Sequence, residues 1–177
     1  LDARVQQAML ETVRETIEHY GQHRSFAGLA VQLSSDGYAQ LPPLEWGMDD
    51  ATVARFSRDT GIQMPEAKPE ERFQVRSKLL TGSQAAAWRN WRNQQVSGFY
   101  MQLAALVRGN TERRLVLTTE NVFANPQTAE VMRPALGQES PAGRAATVLA
   151  NSGIDRNTLE QAGVVLCPTR FVEPATP

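Results

Sequence analysis

The sequence lacks the features that mark several large classes of protein. It contains a single cysteine, Cys167, which excludes an internal disulfide framework and any zinc site built from cysteines. With two histidines and no glycine-rich loop after a predicted strand, neither a metal ion nor a nucleotide is expected as a cofactor. Its 18 Lys and Arg residues nearly balance its 19 Asp and Glu residues, without a basic stripe, so nucleic acid is not an expected partner. No apolar run approaches the roughly 20 residues of a membrane-spanning helix, so no membrane span is expected.

The clearest functional signal lies in residues 25–46. Residues 26–31, FAGLAV, form a short apolar run that is typical of a strand covered on both faces by helices. The run breaks into a polar loop that begins at Gln32. In parallel α/β proteins, ligands and catalytic groups sit at the carboxyl ends of the strands. We therefore expect a site in this loop.

Hydrophobic periodicity and capping residues predict the order of elements along the whole chain. The predicted elements are helix 2–20, strand 26–31, a helix capped by Asp49 and Asp50 that ends near residue 60, helices 73–80 and 83–107, strand 113–119, a helical region 127–136 broken by Pro134, helices 144–151 and 155–161, and strand 163–167. A strand, a helical crossover and a second strand form a βαβ unit, which is parallel in nearly every case.

The chain is therefore predicted to be a single α/β domain over residues 1–177, with three parallel strands and intervening helices. The Cys167 thiol is predicted to be buried in the third strand. Three strands leave two architectures open, a small open α/β sheet or a central slice of a (β/α)8 barrel. The chain begins in mid-pattern, which favours a segment of a longer chain, and its compartment is left open.

Three segments resemble bacterial glycoside hydrolase-like barrel proteins, the family-10-like glycosyl hydrolases. They are residues 2–42, residues 49–62 (DDATVARFSRDTGI) and residues 88–109 (WRNWRNQQVSGFYMQLAALVRG). In that family a helix precedes the fourth barrel strand, and a later helix carries a W..WR signature. Tyr20 and the strand after it are similar to the first feature. Trp88, Trp91 and Arg92 are similar to the second.

The resemblance implies a (β/α)8 barrel of which this chain supplies about strands four to six. The remaining barrel segments of a longer parent chain are then its partners. The sequence departs from the family at Gln32, which falls where the fourth strand, roughly YDVDGIHLDYIRYP, carries the aspartate of LDY. The usual strand-four carboxylate is therefore absent.

Two carboxyl groups are the candidates for catalysis, because glycoside cleavage usually needs an acid and a second carboxylate as nucleophile or base. Glu120 follows the second strand directly, where the resemblance to α-amylase-type barrels implies the acid. Asp36, in the loop after the first strand, is the candidate for the second carboxylate. The alternatives are that Glu120 caps a turn or pairs with an arginine, and that Asp36 and the glycine after it form only a turn.

Further polar and aromatic residues near the predicted strand ends are candidates for substrate binding. Gln32 can bind a sugar hydroxyl, and Tyr38 and Trp46 can stack on pyranose rings or pack within the loop. Asn121 adjoins Glu120, and Arg170, after the third strand, can bind a carboxylate or hydroxyl at the barrel mouth. The aromatic residues of the long helix are predicted to be core, and its arginines to cover the helix edge with their stems: Trp88, Trp91, Phe99 and Tyr100, with Arg89 and Arg92.

These residues lead us to expect a carbohydrate-active protein whose partner is an oligo- or polysaccharide. The leading function is a glycoside hydrolase that works by carboxylate acid/base chemistry. The alternative is a non-catalytic glycan-binding or structural module on a degenerate hydrolase barrel. An enzyme of another reaction type also stays open, because this fold hosts many chemistries.

Overall fold

The protein is a mixed α/β structure with three parallel strands. The computed structural model describes residues 2–34, 39–123, 128, 131–132 and 141–167. Its elements are α1 (Ala3–Tyr20), β1 (Gly28–Gln32), α2 (Asp50–Thr60), α3 (Arg72–Leu80), α4 (Ala85–Arg108), β2 (Arg114–Thr118), α5 (Glu120–Phe123), α6 (Pro141–Asn151), α7 (Arg156–Gln161) and β3 (Val165–Cys167). Apart from α5, which was not predicted, this order matches the prediction, with most ends shifted by one to three residues. Most of the predicted helical region 127–136 lies outside the described residues.

Local capping signals set the helix ends. The Asp2 carboxylate accepts a hydrogen bond from the Arg4 amide at 2.8 Å and begins α1. Asp49 accepts one from the Thr52 amide at 3.0 Å and begins α2. Gly61 ends α2 with a φ of 75°, a left-handed conformation that glycine adopts without steric cost. The cap predicted for α2 at Asp49 is confirmed, whereas Asp50 is the first residue of the helix.

The strands pair in the order β1-β2-β3, and both pairings are parallel. Gly28 is the Cα partner of Arg114 at the start of the β1–β2 ladder. A Cβ atom at Gly28 would lie 2.0 Å from the Arg114 carbonyl oxygen, so only glycine fits there.

The helices cover one face of this sheet. Leu115 and Leu117 of β2 are fully buried against the core, and Leu29 and Val31 of β1 pack against the same core. Contacts of α4 with β1 and β2, and of α1 with α4, complete this layer. We call its buried residues the main core: Leu33, Leu41, Val96, Phe99, Tyr100, Leu103, Ala104, Val107, Leu115, Leu117, Val122, Val148, Leu149, Ile154, Leu159 and Val164.

The opposite face of the sheet is open, which corrects two predictions. Ala30 and Gln32 of β1 are exposed, so β1 is not covered on both faces. Cys167 of β3 is exposed too, so its thiol is not buried. The apolar run misleads because its large side chains, Leu29 and Val31, alternate with small residues that lose little stabilisation when they face water.

A second core lies beyond the carboxyl edge of the sheet. The 24 residues of α4 extend about 36 Å, whereas the five residues of β2 extend about 17 Å. The second half of α4 packs on the sheet and the first half projects past the strand ends. There it forms, with α2 and α3, what we call the edge lobe, whose buried residues are Met48, Val53, Phe56, Leu80, Trp88 and Trp91.

Candidate site at the carboxyl edge of the sheet

A polar row ends the open face of the sheet. Gln32 is the Cα partner of Thr118, and Thr118 is the partner of Cys167. Adjacent strands lie about 4.8 Å apart, so these three side chains stand next to one another at the strand ends. An amide, a hydroxyl and a thiol together offer hydrogen-bond donors and acceptors, but this row contains no carboxylate.

The two polar residues predicted after β2 follow this row closely. Thr119 is 4% exposed, and its hydroxyl donates to the Cys167 carbonyl at 3.2 Å, which ties the end of β2 to the end of β3. Glu120 and Asn121 then form the first turn of α5. Their backbone therefore lies at the carboxyl edge, and their roles stay predictions.

Three other predicted site residues, Asp36, Tyr38 and Arg170, lie outside the described residues. Their assignment to catalysis or substrate binding stays a prediction. Of the loop after β1, the structure describes Leu33, Ser34 and the section from residue 39 onward.

The described section of this loop is fixed by side chains of α4. We call residues 39–48 the edge loop. The Tyr100 hydroxyl donates to the Ala39 carbonyl, and the Trp88 indole N–H donates to the Leu44 carbonyl at 3.1 Å. Burial raises the pKa of Tyr100 well above its usual range, so its hydroxyl stays a donor at ordinary pH. These bonds connect two separate points of the loop to one helix.

The Arg92 guanidinium makes the densest set of these bonds. It donates to the carbonyls of Pro42, of Pro43 at 3.1 Å and of Trp46 at 3.3 Å. Its centre lies 5.5 Å from the ring centroid of Trp88, a cation–π distance. Arg92 is 2% exposed, so the prediction that it covers the helix edge is wrong.

Burial of Arg92 has an electrostatic consequence. Loss of water around the guanidinium lowers its pKa to about 10, while the charge of Glu45 acts in the opposite direction. The side chain stays protonated at neutral pH, and its three carbonyl acceptors replace the water that it has lost.

Trp46 is the exposed side chain on this fixed loop. Its side chain and backbone together are 66% exposed, the highest value among the exposed large hydrophobic residues of the described chain. Its amide donates to the Pro43 carbonyl at 3.0 Å, and its carbonyl accepts from Arg92. The amide and the carbonyl of Trp46 are thus both hydrogen-bonded, while its ring faces solvent.

The clamp formed by Trp88, Arg92 and Tyr100 is the part of the site that sequence reasoning missed. The signal was present in the spacing of Trp88, Trp91 and Arg92, because residues three and four apart share a helix face. An arginine on the same face as two buried tryptophans is a candidate for burial, and once buried it must find acceptors. Pro42 and Pro43 provide two of those acceptors.

Other kinds of site are limited by what the described residues bring together. In this part of the chain no three His, Cys, Asp or Glu side chains gather closely enough to hold a metal ion. No helix among the described residues has both the length and the apolar composition that crossing a membrane requires. Comparison of the sequence with protein-family models and with curated proteins, and of the structure with solved structures, finds no match.

Proposed function

We propose that this chain carries part of a carbohydrate-active site at the carboxyl edge of its sheet, and that it works as a glycoside hydrolase. One observation carries the proposal: the polar row from Gln32 to Cys167 is open, and the loop that follows β1 from this row carries the exposed Trp46 on a fixed backbone. Sugars present hydroxyl groups that need donors and acceptors, and CH faces that stack on aromatic rings.

The proposed architecture is a segment of a (β/α)8 barrel. Its strands pair in chain order, the helices lie on one face, and within the described residues β1 and β3 carry no further strand. Doubly wound sheets reverse strand order and cover both faces, whereas a closed barrel keeps one face inside and has no edges. In a barrel the polar row would face the inner mouth, where sites of this fold lie.

The proposed chemistry uses two carboxyl groups. Glu120, at the start of α5, is the acid that protonates the leaving oxygen, and Asp36 attacks the sugar or activates water. Gln32 binds a hydroxyl, because an amide can donate and accept but cannot act as nucleophile or base. Asn121 is proposed to bind next to the acid. Tyr38 and Arg170 are proposed to bind the substrate from their own loops.

A second candidate is a glycan-binding module without hydrolytic activity. It is favoured by the composition of the polar row, which has Gln32 where the resemblance implies an aspartate and contains no carboxylate. Binding would then depend on Gln32 and Trp46 and not on Glu120.

A screen against soluble oligosaccharides and polysaccharides tests the proposal, with release of reducing ends and binding measured in parallel. Glu120→Gln is the test variant, and Glu112→Gln is its matched control, since Glu112 is exposed near the other end of β2. Cleavage that is lost only in Glu120→Gln supports the hydrolase. Binding without cleavage in all three proteins supports the module, and the absence of both overturns the proposal.

A further inference from the structure

The edge loop is held by hydrogen bonds from α4 that take no part in the proposed chemistry. Four backbone carbonyls between Pro42 and Trp46 accept hydrogen bonds from just two side chains of α4, Trp88 and Arg92. Both donors are almost fully buried, at 1% and 2% exposure. A buried donor keeps its bond because no water competes for it.

The two prolines of the loop explain why its carbonyls accept hydrogen bonds from side chains. Pro42 and Pro43 have no amide N–H, so this segment cannot join a sheet ladder or a helix interior. The carbonyls of such a segment are left for water or for side chains to bind. Arg92 binds three of them at once, because the guanidinium presents several N–H groups in one rigid plane.

The side chains of α4 contact specific points of the edge loop. Arg92 reaches the carbonyl of Trp46 itself, at 3.3 Å, and the centre of the guanidinium lies 5.5 Å from the ring centroid of Trp88. Trp91, one turn along the same helix, donates instead to Asp59 of α2 at 2.9 Å. The indole N–H groups of the two tryptophans therefore have different partners, the loop for Trp88 and α2 for Trp91, while the two rings stack at a centroid distance of 5.4 Å.

We infer that Arg92, assisted by Trp88, is a positioning residue that holds Trp46 as a preformed platform for one face of a pyranose ring. The sugar part of this inference rests on the proposed function. Because the backbone that carries the ring is already fixed, less conformational freedom is lost when a ligand stacks on it, so the clamp raises affinity without touching the sugar.

Hydrogen exchange of the edge loop tests the clamp without any ligand. Arg92→Lys keeps the charge but cannot reach three carbonyls, and Trp88→Phe removes only the N–H and part of the ring. Each is expected to speed exchange of the Trp46 amide about tenfold, the loss of one hydrogen bond. Trp91→Phe is the matched control, because Phe keeps a ring against Trp88 and removes the N–H that bonds Asp59, so that amide is expected to change much less. Equal exchange in wild type and Trp88→Phe, or equal acceleration by Trp91→Phe, overturns the inference.

Binding measured by calorimetry with cellohexaose, maltohexaose and chitohexaose tests the platform. Trp46→Ala and Arg92→Lys are each expected to weaken binding of the recognised sugar about tenfold. Because Arg92 acts through Trp46, adding Arg92→Lys to Trp46→Ala should produce no further loss, whereas additive losses would reveal a general structural role. Wild type that binds no sugar in this assay or in the wider screen overturns the proposed function and the sugar part of the inference, while the exchange experiment still decides the clamp.

Discussion

Individual backbone groups explain how a proline-containing loop is held against a helix. The acceptors of the Arg92 guanidinium are carbonyls of Pro42, Pro43 and Trp46, which would otherwise bind water. A guanidinium that takes the place of this water satisfies the carbonyls and its own N–H groups together. The edge loop therefore needs neither helix nor strand to keep one conformation.

At Gly28 the absence of a side chain decides how closely two strands approach. A Cβ atom there would lie 2.0 Å from the Arg114 carbonyl oxygen, so Gly28→Ala must push β1 and β2 apart. We expect a loss of roughly 1–3 kcal/mol in the free energy of unfolding, measured by urea denaturation. Gly98→Ala is the control, because nothing lies within 4 Å of its added Cβ in the middle of α4. It should gain about 0.5–1 kcal/mol, and equal losses at both sites would contradict this explanation.

The start of α1 gives a prediction about acid titration. Hydrogen bonds from the Arg4 side chain and then from its amide lower the pKa of Asp2 from its ordinary value of 3.8 to about 2. Because the folded-state pKa is the lower one, the cap contributes fully above pH 3.8, and its contribution is lost as the pH falls toward 2. Nuclear magnetic resonance titration of the Asp2 carboxyl should therefore show a midpoint near 2.

Two arginine variants separate this contact from the overall charge of the helix. Arg4→Ala should move the Asp2 midpoint upward, because it removes the largest cause of the shift. Arg14→Ala removes the same charge from an exposed position farther along α1 and should leave the midpoint in place. A wild-type midpoint close to 3.8 would contradict the contact.

At the scale of elements, the sequence predicts those structural features that depend on residues close together in the chain. Asp49 and Asp155 stand directly before α2 and α7, and each accepts a hydrogen bond three residues ahead, so both starts are readable from the chain. The open face of β1 is not readable in this way, because Ala30 is as apolar as its neighbours. Which face is covered depends on where the helical crossovers pass, and those are tens of residues away.

The same distinction applies to the site. Gln32 and Trp46 can be singled out because they follow a predicted strand within one loop. The burial of Arg92 can be inferred from its spacing to Trp88 and Trp91, but its role cannot, because its acceptors lie 46 to 50 residues earlier in the chain. Its role depends on the packing of α4 against the edge loop, which no local pattern specifies.

Aromatic packing joins α2 to α4 in the edge lobe. Phe56 is fully buried, and its ring lies edge-on to Trp88 and Trp91 at centroid distances of 5.2 and 5.5 Å. Phe56→Ala should lower the free energy of unfolding by about 3–5 kcal/mol, because it removes a large side chain from a closed core. Phe73→Ala is the control, since Phe73 is 52% exposed and contacts the side chains of Arg72 and Arg76. It should cost no more than about 1 kcal/mol, and similar losses for both would mean that the edge lobe is not a core.

At the scale of the whole molecule, the open sheet face and the covered one differ in what they present to solvent. Val165 is 36% exposed on the open face, opposite Val116 of the neighbouring strand. An apolar strip on a sheet whose outer strands have no further neighbour within the described residues is a place where further strands or another chain can add. The barrel proposal assigns this strip to the barrel interior.

Cys167 offers a direct probe of that face, because it is the only thiol in the sequence. It is exposed at the carboxyl end of β3, so a thiol-specific reagent should modify it in the native chain nearly as fast as in urea. The matched control is Val164→Cys in a Cys167→Ser background, since Val164 is 2% exposed and belongs to the main core. That thiol should react at least about 100-fold more slowly, because it becomes accessible only when the structure opens.

If Cys167 needs denaturant to react, the face is covered in this chain and the exposure described above is wrong. If it reacts freely here and becomes protected in a longer chain that adds strands beside β1 and β3, the barrel proposal gains support, because those strands would turn this face inward.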